Sequence, residues 1–232
     1  MPSPALGPIR LGFDVPFEPF GLLNDGRPAG MLVELVGMLL QREGIAHEFV
    51  PMTLAATEGA LASGKVDALA YKGVTPERRD RMAFSDTLIV SGGALFARRG
   101  TPAAAVTLGV REGQTIATPR KGPLWADIER RFPEVQLIDG ESYEKTFDLL
   151  VSGAVELAAL NQHAGIAIAE RLHPGAIALP EAPYQPLPIA VATRIDAQAD
   201  IIAAINRALP TLQADGTVQR ITRRWLGTHD QR

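Results

Sequence analysis

The sequence predicts an α/β fold with mostly parallel sheets, and the alternation of strand-like and helix-like segments is the main reason. Residues 9–14 and 66–70 form short apolar runs with the length of buried strands, whereas residues 31–40 form a longer apolar segment with the length of a helix. Strands that alternate with helices indicate βαβ units. A second observation is that one helix–glycine–strand pattern occurs twice in the chain.

Each element is recognised by its apolar content and by the residues that end it. Gly44 and Gly64 follow predicted helices, Ser142 is a candidate N-cap, and Asp215-Gly216 divides the C-terminal helical region in two. The predicted strands are 9–14, 47–50, 66–70, 114–118, 135–138, 155–160 and 189–193, and the predicted helices are 31–40, 54–62, 123–132 and the segment from Ser142 to Val151.

The repeated pattern suggests two lobes of related architecture, although chance similarity between two helix–glycine–strand units remains an alternative. Leu61-Ala-Ser-Gly-Lys-Val-Asp-Ala-Leu-Ala-Tyr71 aligns with Leu150-Val-Ser-Gly-Ala-Val-Glu-Leu-Ala-Ala-Leu160. Ligands of open α/β sheets bind beyond the carboxyl ends of strands. The residues around Lys72 and Asn161 therefore lie at candidate strand ends, and two such ends facing each other would form a cleft.

Composition excludes several classes of function. The chain has 232 residues, of which 46% are apolar, and a net charge of −3 with both signs interspersed, so we expect no nucleic-acid partner. The sequence contains no run of about 18 uncharged apolar residues, so we expect no transmembrane helix. The first eight residues lack the features of a signal peptide, and there is no cysteine for disulfide or thiol chemistry. A cytoplasmic protein and a shortened mature domain would look alike in these respects.

A candidate anion site follows the predicted strand 66–70. Thr75, Pro76 and Glu77 have the features of a helix start, namely a capping hydroxyl, a proline at the first helical position and an acid in the first turn. Arg78 occupies the third helical position, where Glu or Gln would complete a capping box. A cation beside backbone N–H groups at a strand end suits a small anion, most naturally a carboxylate. The alternative is that Arg78 is a solvated surface charge.

Five segments, taken together and in this order, resemble the family 3 extracytoplasmic solute-binding proteins of the polar amino-acid class. They are Phe17-Glu-Pro-Phe20, Gly26-Arg-Pro-Ala-Gly30, the run from Gly64 to Asp86, Ser152-Gly-Ala-Val-Glu156, and the pattern from Leu212 to Gly227. The resemblance implies a two-lobed Venus flytrap fold, in which each lobe is a mixed, mostly parallel sheet flanked by helices. It places lobe 1 at residues 1–95 plus 190–232, lobe 2 at 96–189, and two hinge strands at the crossings.

The resemblance also implies which residues bind the ligand. In lobe 1, Arg78 pairs bidentately with the ligand α-carboxylate, helped by backbone groups at Tyr71 and Gly73. Phe17 and Leu54 fall where the family places apolar groups against the ligand side chain, although Leu54 has a core position in its helix as an alternative. In lobe 2, the implied ligand-binding residues are Gly122, Pro123, Leu124 and Asn161.

Two departures from the family pattern bear on the ligand. Asn161 stands where the family usually has an acid for the ligand ammonium, and an amide offers no charge. The loop from Lys121 to Leu124 lacks the usual hydroxyl, which Lys121 would replace only if it is not simply a solvated lysine. A carboxylate without an α-ammonium group is therefore one possible ligand, beside an amino acid.

These expectations describe a periplasmic or otherwise extracytoplasmic, monomeric binding protein that delivers a small carboxylate or amino acid to the membrane subunits of an ABC importer by cleft closure. We expect no catalysis, because no lone Asp or Glu that could act as a general acid stands out near Asn161. We expect no cofactor, and no metal because the four histidines lack ligand spacing with carboxylates. His163 is expected on a helix surface, with a position at the cleft as the alternative because it follows Asn161 by two residues. Two alternatives stay open, namely the ligand-sensing ectodomain of a membrane signalling protein and a cyclohexadienyl-dehydratase-like enzyme on the same fold.

Overall fold

The chain folds into two compact units. The computed structural model describes residues 7–102, 106–108, 113–120, 123–197 and 199–226. Unit 1 is formed by Met1–Val90 and Leu187–Thr228, and unit 2 by Ser91–Pro186. The chain passes from one unit to the other within two long strands, Ile89–Arg98 and Gln185–Arg194.

Unit 1 is a sheet with helices packed against it. Its parallel strands lie in the order β4-β1-β5, and β12 adds to β5 in the antiparallel direction. A short strand, β6, pairs with β12, and β2 and β3 form a separate hairpin. The elements are β1 Ile9–Asp14, β2 Leu22–Asn24, β3 Arg27–Ala29, α1 Met31–Arg42, β4 His47–Met52, α2 Leu54–Ala62, β5 Ala68–Gly73, α3 Pro76–Arg79, β6 Met82–Phe84, β12 Gln185–Arg194, α7 Ala199–Ala214 and α8 Thr217–Leu226.

The apolar face of α1 explains how unit 1 closes its core. Leu32, Leu35, Val36 and Leu39 recur at helical spacing and are fully or almost fully buried, while α1 packs against α7 and α8. On the other side of the sheet, α2 packs against β1 and β5. Burying strand and helix faces in this way leaves the carboxyl ends of β1 and β5 at one edge of the sheet.

Unit 2 has a second sheet with its own helices. Here β8 lies between the parallel strands β9 and β10, and β10 pairs with β7 in the antiparallel direction. A two-residue strand, β11, pairs with the other edge of β7. The elements are β7 Ile89–Arg98, β8 Thr115–Thr118, α4 Pro123–Arg131, β9 Gln136–Asp139, α5 Tyr143–Ser152, β10 Leu157–Asn161, α6 Gln162–Leu172 and β11 Ile177–Ala178.

The predicted α/β fold class is confirmed, and the differences from the predicted elements have local causes. The third long strand of unit 1 runs on to Gly73 instead of ending at Ala70, because β12 pairs with it as far as Ile189 opposite Gly73. The β2–β3 hairpin was not predicted, although its turn contains the pair Asp25-Gly26, both with positive φ. An Asp-Gly pair is a strong hairpin signal because a tight primed turn needs that backbone conformation.

Candidate functional site

Unit 1 collects charged side chains at the carboxyl ends of β1 and β5. These two strands are adjacent and parallel, so Asp14 at the end of β1 lies at the same sheet edge as Lys72 near the end of β5. The short helix α3 follows β5 and carries Arg78, and α2 carries Glu58. We call Asp14, Glu58, Lys72 and Arg78 the strand-end cluster. It occupies the kind of edge where α/β sheets bind ligands.

Arg78 is held by one backbone and one side-chain partner. Thr75 caps α3 by accepting a hydrogen bond from the Arg78 backbone N–H at 3.4 Å. The guanidinium donates from Nη1 to the carbonyl oxygen of Gly73 at 2.9 Å and from Nε to Oε1 of Glu58 at 3.0 Å. Its side chain is 26% exposed, so the guanidinium is reachable from solvent while its orientation is set.

Among the described residues around the cluster, Glu58 is the carboxylate that lies near three cations. Its Oε1 lies 3.0 Å from Arg78 Nε and 3.7 Å from Lys72 Nζ. Its Oε2 lies 3.4 Å from Nη2 of Arg81, an exposed arginine just after α3. Burial pushes the pKa of the Glu58 carboxyl up, but the hydrogen bond and charge of Arg78, helped by the other two cations, outweigh this and hold the pKa below its ordinary value.

Lys72 and Asp14 are buried members of the same cluster. The Lys72 ammonium donates a 2.7 Å hydrogen bond to Oγ1 of Thr57 on α2. Burial lowers the pKa of Lys72, and the nearby Arg78 charge lowers it further. Burial also raises the pKa of the Asp14 carboxyl, against the opposing pull of Lys72. Counted formally, the cluster pairs two carboxylates with two cations, and Arg81, which lies 3.4 Å from Glu58, adds a third cation. The resulting excess of positive charge favours an anionic ligand group.

The predicted backbone contributors, Tyr71 and Gly73, lie where β5 ends. The buried Tyr71 hydroxyl donates to the backbone oxygen of Asp14 at 2.8 Å, and this bond joins the ends of β1 and β5. A Cβ on Gly73 would lie 2.7 Å from Cδ2 of Leu187, so a larger residue would require that side chain to move. The carbonyl of Gly73 is engaged in orienting Arg78, which the sequence did not predict.

The two predicted apolar contacts differ in their surroundings. Leu54 is the first residue of α2 and is 61% exposed, so its alternative role as a core residue of that helix is wrong. Phe17 is partly buried, and its ring packs 4.9 Å from the ring of the buried Phe20. Their role against a ligand side chain stays a prediction.

In unit 2, Asn161 belongs to a hydrogen-bonded group without formal charge. It ends β10, and its side-chain Oδ1 caps α6 by accepting from the Ala164 N–H at 3.1 Å. Ser91 Oγ lies 3.2 Å from the same Oδ1 and 2.9 Å from Nδ1 of His163. Since the single Ser91 proton goes to the amide oxygen, His163 donates from Nδ1. We call Ser91, Asn161 and His163 the neutral triad.

The expectation that His163 lies on a helix surface is wrong. Its side chain is buried against Ser91, and burial lowers its pKa to about 4. The imidazole is therefore neutral near pH 7. Gln162, His163 and Ala164 at the start of α6 are all buried, directly after the buried strand β10.

The predicted loop of unit 2 is described only in part. Lys121 and Gly122 lie outside the described residues, and Pro123 begins α4. Leu124 is buried in the core of unit 2, packed with residues such as Leu95 and Ile128. A Cβ on Gly93 would come within 2.7 Å of it. The structure thus gives Leu124 a packing role, and its contact with a ligand stays a prediction.

Sequence reasoning missed Asp14, Glu58 and the use of Lys72. Glu58 follows Leu54 by one helical turn, so it shares a face with a residue that was predicted to contact the ligand. Asp14 is a carboxylate that ends a buried strand, and Lys72 stands between two residues that were assigned to the site. These positions were visible in the sequence, but only the fold shows that they meet.

Metal binding and membrane insertion gain no support from the described residues. Within the described ranges, no three His, Cys, Asp or Glu side chains are grouped so that they could hold a metal ion. The helices in the same part of the chain are all too short or too polar to cross a bilayer.

Two curated proteins are similar to this chain along most of its length. Virulence sensor protein BvgS of Bordetella bronchiseptica is 25% identical over 215 residues, which are 91% of this chain but only 17% of the length of BvgS. The putative amino-acid ABC transporter-binding protein PatH of Vibrio harveyi is 24% identical, with 94% of this chain and 88% of PatH covered.

The fold is shared with solved structures of the same kind. An ancestral cationic amino acid solute-binding protein has a TM-score of 0.80 at 22% identity, covering 95% of this chain and 96% of that protein. A family model described as bacterial extracellular solute-binding proteins, family 3, matches residues 9–228. The chain therefore belongs to the family 3 bacterial extracellular solute-binding proteins.

Proposed function

We propose that this protein binds a small solute through a carboxylate that pairs with Arg78, and that it delivers the solute to the membrane subunits of an ABC importer. The observation that carries this proposal is the strand-end cluster, where Lys72 and Arg78 set two cations at the carboxyl end of β5, beside the end of the adjacent strand β1. PatH, which is named as a putative amino-acid ABC transporter-binding protein, is matched along most of its length, and this supports the importer role.

The ligand class follows from the balance of charge. Three cations approach Glu58, whereas the neutral triad supplies unit 2 with an amide, a hydroxyl and an uncharged imidazole. A hydrogen bond between oppositely charged groups is stronger than a hydrogen bond between neutral groups. We therefore favour solutes whose carboxylate dominates recognition, including organic acids as well as amino acids.

The working cycle that we propose is closure of two lobes on the solute. Unit 1 would capture the carboxylate first, and the crossings within β7 and β12 would serve as hinges. A ligand that is satisfied only by both lobes shifts the population toward the closed state. Small-angle X-ray scattering with saturating solute should give a smaller radius of gyration than without it, and an unchanged value would contradict closure.

A thermal-shift screen tests the proposed ligand class. The panel would contain the standard amino acids, their 2-deaminated analogues and simple mono- and dicarboxylates, with uncharged amides of the same skeletons as matched controls. We expect stabilisation by one or more carboxylates and by none of the amide controls. Stabilisation by an uncharged sugar, or by amides as strongly as by acids, would contradict the role assigned to Arg78.

A sensor role is the second candidate, because the chain matches BvgS as a segment covering 17% of that protein. In that case the same binding chemistry would regulate a signalling domain instead of feeding an importer. The coding sequence downstream of Arg232 distinguishes the two: a further flytrap lobe pair or a membrane segment would favour the sensor. We propose no catalysis, since the family model that matches the chain describes solute-binding proteins.

A further inference from the structure

We propose that Glu58 competes with the ligand carboxylate for Arg78, so that a solute binds by exchanging places with an internal carboxylate. The inference rests on the proposed function, because it concerns the same guanidinium. It adds a residue that no feature of the family resemblance assigned, and it predicts that this residue weakens binding instead of supporting it.

The geometry of Arg78 creates the competition. A carboxylate that pairs side-on with a guanidinium uses the Nε and Nη2 donors together. Glu58 Oε1 already accepts from Nε at 3.0 Å, and the Gly73 carbonyl accepts from Nη1 at 2.9 Å. Gly73 is the last residue of β5 and lies opposite Ile189 of β12, so its carbonyl is positioned by the sheet. Side-on pairing with a ligand therefore requires Glu58 to leave Nε.

Glu58 is able to leave because it keeps other partners. Its Oε2 lies 3.4 Å from Arg81 Nη2, and Lys72 Nζ lies 3.7 Å from Oε1. The Glu58 side chain is 30% exposed and has three rotatable bonds, so it can turn toward the exposed arginine. An ion that moves from one cation to another does not become a buried, unpaired charge, which is the costly outcome.

Helix α2 fixes the positions of both Glu58 and Lys72. Thr57, the neighbour of Glu58, accepts a hydrogen bond from Lys72 and donates one to the Leu54 carbonyl at 2.8 Å. This bond pair ties the buried lysine to the helix that carries Glu58. The Glu58 carboxylate therefore lies within reach of Arg78 as a consequence of packing, and any incoming carboxylate meets it there.

Acetate and glycine provide probes that do not require the natural solute. Acetate supplies a carboxylate alone, and glycine supplies the same carboxylate with an ammonium group. We would compare wild type, Glu58→Ala and Glu77→Ala by thermal unfolding at pH 7, exchanging sodium chloride for sodium acetate at constant ionic strength. Glu77→Ala is the matched control, because it removes an exposed acid adjacent to Arg78 that makes no ion pair with it among the described residues.

We expect Glu58→Ala to unfold at a lower temperature than wild type in chloride and to be restored by acetate with a saturable dose response. Its apparent affinity for acetate should exceed that of wild type by about tenfold or more, the usual range for one charge-assisted pair. Glu77→Ala should respond as wild type does. Adding Arg78→Ala to Glu58→Ala should remove the acetate response.

Several results would overturn the competition. Equal acetate responses in Glu58→Ala and Glu77→Ala would mean a general ion effect, and no response in either would mean that Arg78 does not accept a free carboxylate there. Glycine binding that weakens in Glu58→Ala while acetate binding does not would make Glu58 the partner of the ligand ammonium. If Glu58→Ala fails to fold, Glu58→Gln keeps the side-chain shape and is expected to show the same gain for acetate.

This experiment separates the inference from the proposed function. A solute screen without any carboxylate hit, together with an acetate response confined to Glu58→Ala, would contradict the transport role and leave the competition standing. A carboxylate hit whose affinity is unchanged by Glu58→Gln would support the function and overturn the competition.

Discussion

Units 1 and 2 share one topology but present different chemistry at corresponding strand ends. In unit 1 the sheet order is β4-β1-β5-β12, and in unit 2 it is β9-β8-β10-β7, so each has three parallel strands followed by one antiparallel strand. The repeated sequence pattern ends helices α2 and α5 at Gly64 and Gly153, both in the left-handed region, before β5 and β10 begin.

Small details of the two repeats also correspond. Arg194 on β12 donates to the carbonyl of Leu61, and Arg98 on β7 donates to the carbonyl of Leu150. Leu61 and Leu150 are the first residues of the two aligned segments. Each arginine thus satisfies a carbonyl at the end of a helix from the antiparallel neighbour strand. Correspondence at this level favours related architecture over chance similarity.

The chemical difference lies in the residue that follows each aligned segment. In unit 1 this residue is Lys72, a buried cation beside Glu58 and Arg78, and in unit 2 it is Asn161, a neutral cap bonded to Ser91. The same backbone frame therefore carries ion-paired side chains in one unit and neutral hydrogen bonds in the other. The predictions below test this division of roles.

The largest expected effect is the loss of solute affinity in Arg78→Ala. Removing one partner of a hydrogen-bonded charge pair costs about 2–5 kcal/mol, much of it from the carboxylate left without a partner. Isothermal titration calorimetry with a solute found by the screen measures this loss. Arg79→Ala is the matched control, because it removes an exposed arginine from the same short helix.

A loss below about threefold in Arg78→Ala, with circular dichroism unchanged, would contradict the assignment of charge recognition to unit 1. A similar loss in Arg79→Ala would point to the general positive field of α3 instead of one guanidinium.

The second prediction concerns the pH dependence that the neutral triad gives to stability. Burial lowers the pKa of His163 from 6.5 to about 4, so between these values the unfolded state binds more protons than the folded state. The free energy of unfolding should therefore fall as the pH is lowered through this window. Once the pH lies below both pKa values, the loss in the free energy of unfolding that His163 causes reaches about 2–4 kcal/mol.

Urea denaturation of wild type and His163→Asn between pH 7 and pH 4 isolates this contribution. Asn offers an amide near the position of Nδ1, so the bond to Ser91 has a replacement. We expect a shallower loss of stability on acidification in His163→Asn. His173→Asn, which changes a partly exposed histidine at the end of the same helix, serves as the comparison variant. Parallel curves for all three proteins would mean that the triad tolerates charge.

The third prediction converts the neutral strand end of unit 2 into a charged one. Asn161→Asp keeps an acceptor for the Ala164 N–H, so the α6 cap should survive. The new carboxylate should attract a ligand ammonium and repel a plain carboxylate, with energies of about 1–3 kcal/mol in a partly desolvated site. The preference for an amino acid over its deaminated analogue should rise by about tenfold or more.

Calorimetric titration with both members of such a pair measures the preference, and Asn161→Ser serves as a control that caps the helix without charge. An unchanged ratio would mean that Asn161 does not face the ligand head group. In that event the neutral triad has a purely structural role in holding β7, β10 and α6 together.

The fold was largely predictable from the sequence because its determinants are local. Strand 9–14 and helix 54–62 were predicted with the bounds that the structure has, since apolar content and flanking residues decide both. Strand β5 was misplaced at its polar end, because pairing with β12 and not its own composition extends it to Gly73. Register between distant segments leaves no local signal.

The candidate site was less predictable, because it depends on which side chains meet. The sequence showed that Arg78 follows a strand end and a capped helix start, and the Thr75 cap is confirmed. The ion pair with Glu58 was not, since it joins residues on different helices. The burial of His163 was missed because helical periodicity does not show that β7 passes beside the start of α6 with Ser91 facing it. Distant pairings of this kind require the fold.

The smallest expected effect tests the apolar edge of unit 1. Leu54 is 61% exposed at the start of α2, so Leu54→Ala should change the free energy of unfolding by no more than about 0.5 kcal/mol. If Leu54 covers the ligand side chain, the same substitution should weaken solute binding by about 1 kcal/mol through lost apolar contact.

Exposed Leu23 on β2 provides the control, because Leu23→Ala removes a similar side chain away from the strand-end cluster. Calorimetry together with urea denaturation separates the two effects. Unchanged affinity in Leu54→Ala would confine recognition in unit 1 to its charges, whereas a loss confined to Leu54→Ala would extend the site from the cluster onto the first turn of α2.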